Sequence, residues 1–122
     1  MARVLVVDDD ASIRTLLEVS LRTEGLEVDT ARDGRDGLEQ ALVDPPDVVV
    51  LDVMMPELDG WGVAEGLAAN PRTAGVPVVF LSARAQDADV ARGRALGAAA
   101  YVTKPFDVFD LCELLHELVE GR

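Results

Sequence analysis

Three short runs of apolar residues constrain most strongly how this chain can fold. Residues 4–7, 48–51 and 78–81 contain only Val, Leu and Phe, with no polar position between them. Runs of this length without alternation predict strands that are buried on both faces, as in a parallel sheet covered by helices. Longer segments with apolar residues three and four positions apart separate the runs. We therefore predict an α/β fold built on a doubly wound parallel sheet.

Two further segments complete the predicted sheet. Residues 26–30 alternate apolar with polar side chains, which suits an edge strand, and residues 100–103 form a short fifth strand at the other edge. Each strand is followed by a helical pattern, so that a strand and a helix alternate five times. Right-handed crossovers then bring all five carboxyl ends to one edge of the sheet, where ligands bind in such folds.

The helical patterns differ in strength. The first helix has an apolar face that includes Leu16 and Leu17, and the fifth helix has a similar face. We expect His116, on the fifth helix, to be a solvated surface residue. The fourth helix, from about residue 86 to 96, has few apolar residues and carries Gly93 in its interior. Because glycine disfavours helical structure, we expect this fourth helix to be the least rigid.

The composition limits the class of protein. A length of 122 residues allows one domain with a substantial core. The 23 acidic and 11 basic residues give a net charge of −12, which disfavours binding to nucleic acids or to anionic membranes. The single cysteine, Cys112, cannot form an internal disulfide, and the sequence has neither a signal peptide nor a membrane-spanning apolar stretch. We therefore expect a soluble cytoplasmic protein.

Polar side chains follow the apolar runs at the carboxyl ends of the predicted strands. Asp8 and Asp9 follow the first strand, Asp52 the third, Ser82 the fourth and Lys104 the fifth. Three carboxylates at one edge repel each other unless a cation lies among them, and oxygen ligands favour Mg²⁺. A lysine and a hydroxyl beside the metal suit the oxygens of a phosphoryl group. In such a site a carboxylate can attack phosphorus and hold the acyl phosphate.

With these residues in view, the chain resembles the receiver domain of bacterial two-component response regulators. The resemblance covers essentially all 122 residues, and its matching segments, in order, are VLVVDDD, VVVLDVMMPELDG, VVFLSARA and GAAAYVTKPF. It implies a flavodoxin-like (βα)5 fold with the strand order 2-1-3-4-5, in which residues 1–122 form one receiver domain. We also expect a cis peptide bond between Lys104 and Pro105, because the resemblance raises the low general frequency of such bonds.

The resemblance implies how a metal ion would be held. Asp52 would be the phosphoacceptor, and Asp9 and Asp52 would ligate Mg²⁺ directly. Asp8 would act mainly through water, and the backbone carbonyl of Met54 would supply a further ligand.

The resemblance also implies a phosphoryl-binding pair and a switch residue. Ser82 and Lys104 would bind the phosphoryl oxygens, and Tyr101 would turn inward on activation as Ser82 moves. The sequence alone leaves Tyr101 open, because a plain half-buried edge residue fits that position nearly as well.

The implied function is a signalling switch rather than an enzyme with an external substrate. A histidine kinase or a phosphotransfer protein would donate the phosphoryl group, with small acyl phosphates as substitutes, and the domain would catalyse only its own phosphorylation and dephosphorylation. Phosphorylation would change the binding of a downstream protein partner through the face made of the fourth helix, the fifth strand and the fifth helix, on which a homodimer is a further expectation. A phosphate-storing relay intermediate stays open as an alternative.

Three other functions fit the sequence less well. A haloacid dehalogenase-like phosphatase needs a second Asp two residues after its nucleophile, where this chain has Met54, and a cap domain. A flavodoxin-like binder of flavin mononucleotide needs a Ser/Thr/Gly-rich loop after the first strand, where this chain has three aspartates. A receiver-like module that no longer accepts phosphate is disfavoured by Ser82, Lys104 and the intact acidic set.

The chain departs from one receiver subfamily at a position that matters for assembly. Met54 and Arg84 resemble their counterparts in receivers fused to winged-helix DNA-binding domains, but Ala99 and Ala100 stand where that subfamily often has an acidic pair. These alanines weaken the case for a dimer held by charged pairs. We expect a stand-alone receiver with no second domain, and an excised receiver of a longer transcriptional regulator is the second interpretation.

Overall fold

Five strands alternate with five helices in the part of the chain that the computed structural model describes, residues 2–84 and 86–120. The strands are β1 (Arg3–Val7), β2 (Glu27–Ala31), β3 (Val48–Asp52), β4 (Val78–Ser82) and β5 (Ala100–Thr103). The helices are α1 (Ala11–Thr23), α2 (Gly34–Val43), α3 (Gly60–Ala69), α4 (Asp87–Ala95) and α5 (Val108–Glu120). This alternation confirms the predicted α/β fold.

The strands form one parallel sheet in the order β2-β1-β3-β4-β5. The order confirms the prediction, including the positions of β2 and β5 at the two edges. In the centre of the sheet, Val7 of β1 lies opposite Leu51 of β3. The next residues along the two strands, Asp8 and Asp52, therefore leave the sheet side by side.

Two apolar layers cover the two faces of the sheet. One layer packs α2 and α3 against alternate strand residues and contains Leu5, Val7, Val49, Leu51, Phe80, Ala41, Trp61, Val63, Ala64 and Leu67. The other packs α1 and α5 against the remaining strand residues and contains Val4, Val6, Val28, Val48, Val50, Val79, Leu81, Leu17, Leu21, Leu111, Cys112 and Leu115. Burial on both faces explains why the central strands show no alternation of apolar and polar residues.

Aspartates cap the starts of α1, α2 and α3, and Asp107 accepts hydrogen bonds from backbone N–H groups in the same way at the start of α5. The carboxylates of Asp10, Asp33 and Asp59 each accept a hydrogen bond from a backbone N–H two or three residues later, at 2.8, 2.8 and 2.9 Å. An aspartate at this position satisfies a helix N–H group that has no partner within the helix. Asp10 thereby fixes the start of α1 directly after the acidic end of β1.

Two details of the helices differ from the sequence-based expectation. Leu16 is 44% exposed, because it lies at the margin of the α1 face on which Leu17 and Leu21 are fully buried. His116 is half-buried rather than on the open surface. Among the described residues, no helix is long and apolar enough to cross a membrane.

Candidate functional site

Three carboxylates meet at the carboxyl end of the sheet. Asp8 follows β1, Asp9 lies in the turn before α1, and Asp52 is the last residue of β3. One oxygen atom from each of the three lies within 4.8 Å of the other two. Asp8 and Asp52 are buried, whereas Asp9 is exposed, so the cluster opens toward solvent on the side of Asp9.

Lys104 brings a positive charge to this cluster from the edge strand. Its Nζ atom donates a hydrogen bond to Oδ2 of Asp8 at 3.0 Å and lies 3.6 Å from Oδ1 of Asp52. Its backbone N–H donates to the carbonyl of Ser82 at 2.8 Å, and its peptide bond to Pro105 is cis, as predicted. One residue at the end of β5 thus reaches the ends of both central strands.

Burial and neighbouring charge disfavour the ionised form of Asp52. Burial, followed by the charge of Asp8, raises the pKa of Asp52 to about 7, although Lys104 and the N–H of Met54 act to lower it. For Lys104, burial acts to lower the pKa, but the hydrogen bond and charge of Asp8, with the charge of Asp52, outweigh burial and raise it. The site therefore has one ammonium group that holds its proton strongly and one carboxyl group that ionises with difficulty.

The donor set at this site fits a hard divalent cation. Mg²⁺ takes oxygen ligands, and carboxylates are among the ligands that proteins offer it. One oxygen atom from each of Asp8, Asp9 and Asp52 lies within 4.8 Å of the other two, so these residues would hold the ion, directly or through water. The N–H of Met54 donates to Oδ1 of Asp52 at 3.3 Å, while the role of the Met54 carbonyl as a ligand stays a prediction.

Ser82 lies at the end of β4, next to the end of β3. Its side chain is fully buried, and its Oγ atom accepts a hydrogen bond from the backbone N–H of Arg84 at 3.0 Å. The structure therefore brings Asp8, Asp9, Asp52 and Lys104 into one cluster and holds Ser82 at the adjacent strand end. A part for Ser82 in binding phosphoryl oxygens stays a prediction.

Tyr101 connects β5 to the loop before α4. Its hydroxyl group donates to the carbonyl oxygen of Arg84 at 2.6 Å, and its ring centroid lies 6.1 Å from that of Phe80 and 6.4 Å from that of Trp61. The side chain is half-buried. Its inward movement on activation stays a prediction.

Arg84 is also a residue of the site. The sequence indicated its position but not its contacts. Besides its backbone contacts to Ser82 and Tyr101, its guanidinium lies 3.1 Å from Oδ1 of Asp89 on α4 and 3.7 Å from Sδ of Met54. These contacts link the end of β4, the start of α4 and the loop after Asp52. The only available signal was its spacing, two residues after Ser82.

Gly60 is a second residue whose importance the sequence did not reveal. A Cβ atom at this position would lie 2.3 Å from the backbone oxygen of Asp52, and the N–H of Gly60 donates to the carbonyl of Val53 at 3.0 Å. Glycine therefore lets α3 begin directly against the strand end that carries Asp52.

The sequence matches the family model described as the response regulator receiver domain over residues 4–116. The chain belongs to this family. The match covers all four segments on which the resemblance was based. Receiver domains are signalling domains that generally use Mg²⁺ and interact with histidine kinases or phosphotransfer proteins and with downstream partners.

Curated relatives agree with this assignment. The chain is similar to the DNA-binding dual master transcriptional regulator RpaA of Synechocystis, with 39% identity over 98% of this chain and 49% of the relative. It is also similar to the transcriptional regulatory protein PrrA of Mycobacterium tuberculosis, with 43% identity over 98% of this chain and 51% of the relative. The chain spans about half the length of these relatives.

Solved receiver structures have the same fold. The chemotaxis protein CheY4 of Vibrio cholerae superposes with a TM-score of 0.91 at 33% identity, covering 97% of this chain and 98% of that one. The receiver domain of the Francisella response regulator 1452 gives a TM-score of 0.93 at 30% identity, covering 99% and 98%.

Proposed function

We propose that residues 1–122 act as one receiver domain that is switched by phosphorylation of Asp52. A histidine kinase or a phosphotransfer protein donates the phosphoryl group in a Mg²⁺-dependent reaction, and the phosphorylated form binds a partner through α4, β5 and α5. The observation that carries this proposal is the setting of Asp52. It is a buried carboxylate with the Lys104 ammonium at 3.6 Å and carboxylate oxygens of Asp8 and Asp9 within 4.8 Å.

The residues of the site divide the proposed reaction among them. A carboxylate oxygen of Asp52 attacks the phosphorus of a phosphohistidine whose other ring nitrogen carries a proton. The new O–P bond forms as the N–P bond breaks, and the histidine leaves as a neutral imidazole. Lys104, already placed between Asp8 and Asp52, pairs with the negative phosphoryl oxygens, and the hydroxyl of Ser82 donates to them. Asp9 and Asp52 would hold Mg²⁺ directly and Asp8 would hold it through water, and the ion would supply further charge neutralisation when bound.

Mass spectrometry tests the acceptor. After incubation with acetyl phosphate and Mg²⁺, the chain should gain one phosphoryl group, and Asp52→Asn should gain none. Asp10→Asn is the matched control, because Asp10 caps α1 from outside the acidic cluster and asparagine caps a helix equally well. An adduct that persists in Asp52→Asn contradicts the proposal.

A melting experiment tests the metal site separately. Mg²⁺ should raise the melting temperature, because a ligand that binds only the folded chain stabilises it by mass action. Asp9→Asn should lose most of this gain, whereas Asp10→Asn should keep it. Equal gains in the two variants, or no gain in the unaltered chain, would refute metal binding at Asp8, Asp9 and Asp52.

The proposed output face carries exposed apolar surface. A groove of about 340 Å³ between β5 and α5 is lined by the apolar residues Val102, Phe106 and Leu114, together with polar residues that include Asp107 and Asp110. Ala99, which is exposed, adds no charge beside β5. Such a face favours an apolar contact with a downstream protein or with a second copy of the chain.

Amide chemical shifts distinguish a switch from a phosphate store. Beryllofluoride, which mimics the acyl phosphate, should shift resonances across residues 86–105 if phosphorylation changes the α4 and β5 region. Shifts confined to the acidic cluster would instead favour a phosphate-storing relay intermediate. Sedimentation with and without beryllofluoride then decides whether the output is a homodimer.

A further inference from the structure

The helix α4 rests on the sheet through a glycine. Gly93 is buried, whereas the apolar residues on either side of it, Val90 and Leu96, are only half-buried. The remaining buried residue of α4 is Asp89, which is paired with Arg84. A helix with so little apolar surface gains contact mainly by approaching closely, and Gly93 is where this approach occurs.

Two aromatic rings occupy the space beside Gly93. A Cβ atom there would lie 3.0 Å from Cδ2 of Tyr101 and 3.2 Å from Cδ2 of Phe80. Both distances are shorter than the usual contact between carbon atoms, about 3.5–4.0 Å. The backbone offers no other reason for glycine, because the glycines with positive φ among the described residues are Gly25 and Gly97. Alanine would also favour the helix more than glycine does.

The two rings differ in their freedom to move. Phe80 is fully buried in the apolar layer between the sheet and α3. Tyr101 is only half-buried on an edge strand, where the rings of Trp61 and Phe80 and the hydrogen bond to Arg84 hold one side of its ring. A methyl group at position 93 would therefore displace Tyr101 rather than Phe80.

We propose that Gly93 is a positioning residue that sets how deeply the Tyr101 ring lies beneath α4, and that it thereby biases the conformational switch. The inference rests on the proposed function of the domain, which it deepens by naming a determinant of the switch. The absence of a side chain at position 93 makes room for the inward ring, and any larger residue favours the outward one. The ligand can only shift an equilibrium that Gly93 has already biased.

Trp61 provides a spectroscopic probe for this position. It is the only tryptophan in the 122 residues, its ring stacks on Tyr101 at 6.4 Å, and the guanidinium of Arg92 lies 4.8 Å above it. Gly93→Ala should therefore change the emission of Trp61 and the ring resonances of Tyr101 without metal or beryllofluoride. Gly93→Ala with Ala91→Gly is the matched control for helix propensity, because it moves the glycine to an exposed position and leaves the composition of α4 unchanged.

The response to beryllofluoride tests the bias itself. Gly93→Ala should weaken the apparent affinity about fivefold or more, since overpacking of this kind shifts an equilibrium by at least such a factor and an unfavoured state lowers apparent affinity. The variant that also carries Ala91→Gly should behave in the same way. In a Tyr101→Ala background, the same change at Gly93 should alter neither the affinity nor the Trp61 emission.

Each possible outcome either supports or overturns the proposed role of Gly93. Unchanged Trp61 emission and Tyr101 resonances in Gly93→Ala, or an equal effect in the Tyr101→Ala background, would overturn it. If Gly93→Ala alone fails to fold, recovery in the Tyr101→Ala background supports a conflict with Tyr101, and failure there too assigns the conflict to Phe80 and refutes the proposal. Failure of the proposed function would differ, because the unaltered chain would then not respond to beryllofluoride at all.

Discussion

The centre of the sheet and its β4–β5 side are held together by different means. At the centre, β1 and β3 are almost completely buried, and α1 packs on them with Leu17 and Leu21 at 0% exposure. On the other side, α4 has no fully buried apolar residue and is held by an Arg84–Asp89 ion pair, an Arg92–Trp61 contact and the packing of Gly93.

This difference separates two requirements of a signalling domain. A site for chemistry needs groups that stay in place, and the acidic cluster lies at the ends of two strands that are almost completely buried. An output element needs two arrangements of similar free energy, which weak polar contacts allow more readily than a packed core.

The same substitution on the two sides should have unequal effects. Leu17→Ala in α1 should lower the free energy of unfolding by about 3–4 kcal/mol, as expected for a leucine with no exposure. Leu96→Ala after α4 should cost about 1 kcal/mol, because this side chain is half-buried. Urea denaturation of both variants gives the comparison. Equal losses would mean that α4 is packed as firmly as α1.

Lys104 lies at the end of an edge strand, and removal of its ammonium group should destabilise the centre of the sheet, where Asp8 and Asp52 lie. In metal-free buffer, Lys104→Met should lower stability by about 1–2 kcal/mol, less than for a fully buried ion pair because Lys104 is partly exposed. Phosphorylation by acetyl phosphate should slow by about 10²-fold, the typical loss of one charge-stabilising group. Lys104→Arg, which retains the charge, should lose less stability. A variant as stable and as reactive as the parent would exclude Lys104 from the site.

The pH dependence of stability should reveal the raised pKa of Asp52. Because the pKa of Asp52 is about 7 in the folded chain and near 3.9 when unfolded, the folded state binds an extra proton between these values. The free energy of unfolding should therefore fall as the pH rises from 4 to 7 and level off above. In metal-free buffer, Asp52→Asn should be more stable by about 1 kcal/mol at pH 8, after allowing for solvent screening, and equally stable below pH 4.

Denaturation curves of the parent and of Asp52→Asn across this pH range provide the measurement. If the difference between the two proteins does not change with pH, the Asp52 carboxyl titrates normally in the folded chain.

The smallest effect should be confined to α4. Asp89→Asn removes the ion pair with Arg84, and amide hydrogen exchange in α4 should become about two- to fivefold faster, since a partly exposed pair contributes less than about 1 kcal/mol. Asp87→Asn is the control, because Asp87 is an exposed residue of the same first turn. Exchange in α1 should not change. Faster exchange in both helices would show that the two sides unfold together.

The strand ends were predictable because burial itself produces the pattern. An unbroken apolar run can only be a buried strand or a short buried helix, and its length and the polar residue that follows mark where the chain leaves the sheet. Asp8, Asp52, Ser82 and Lys104 were located in this way. The family resemblance supplied what the pattern cannot, namely the order of the strands and the cis bond before Pro105.

The contacts around α4 were not predictable for a physical reason. The positions of Arg84 and Arg92 depend on long side chains that meet Asp89 and Trp61 across loops, and such contacts have no period along the sequence. The sequence shows Gly93 only as a residue that weakens a helix, because its role depends on its contacts with aromatic rings on other elements. Leu16 was assigned to the buried face for a related reason, since a helical pattern does not show where the sheet beneath it ends.

Lys104 makes the environment of Asp8 and Asp52 depend on the integrity of the sheet edge. Its backbone extends the pairing of β5 with β4, and its ammonium ends between Asp8 and Asp52. Any event that separates β5 from β4 also removes the positive charge of Lys104 from the carboxylates. Such an event could be pairing with a competing strand, proteolysis or spontaneous fraying. If Asp52 accepts a phosphoryl group as proposed, a copy of the domain that has lost the β5 pairing would therefore also lose the positive charge that the reaction uses.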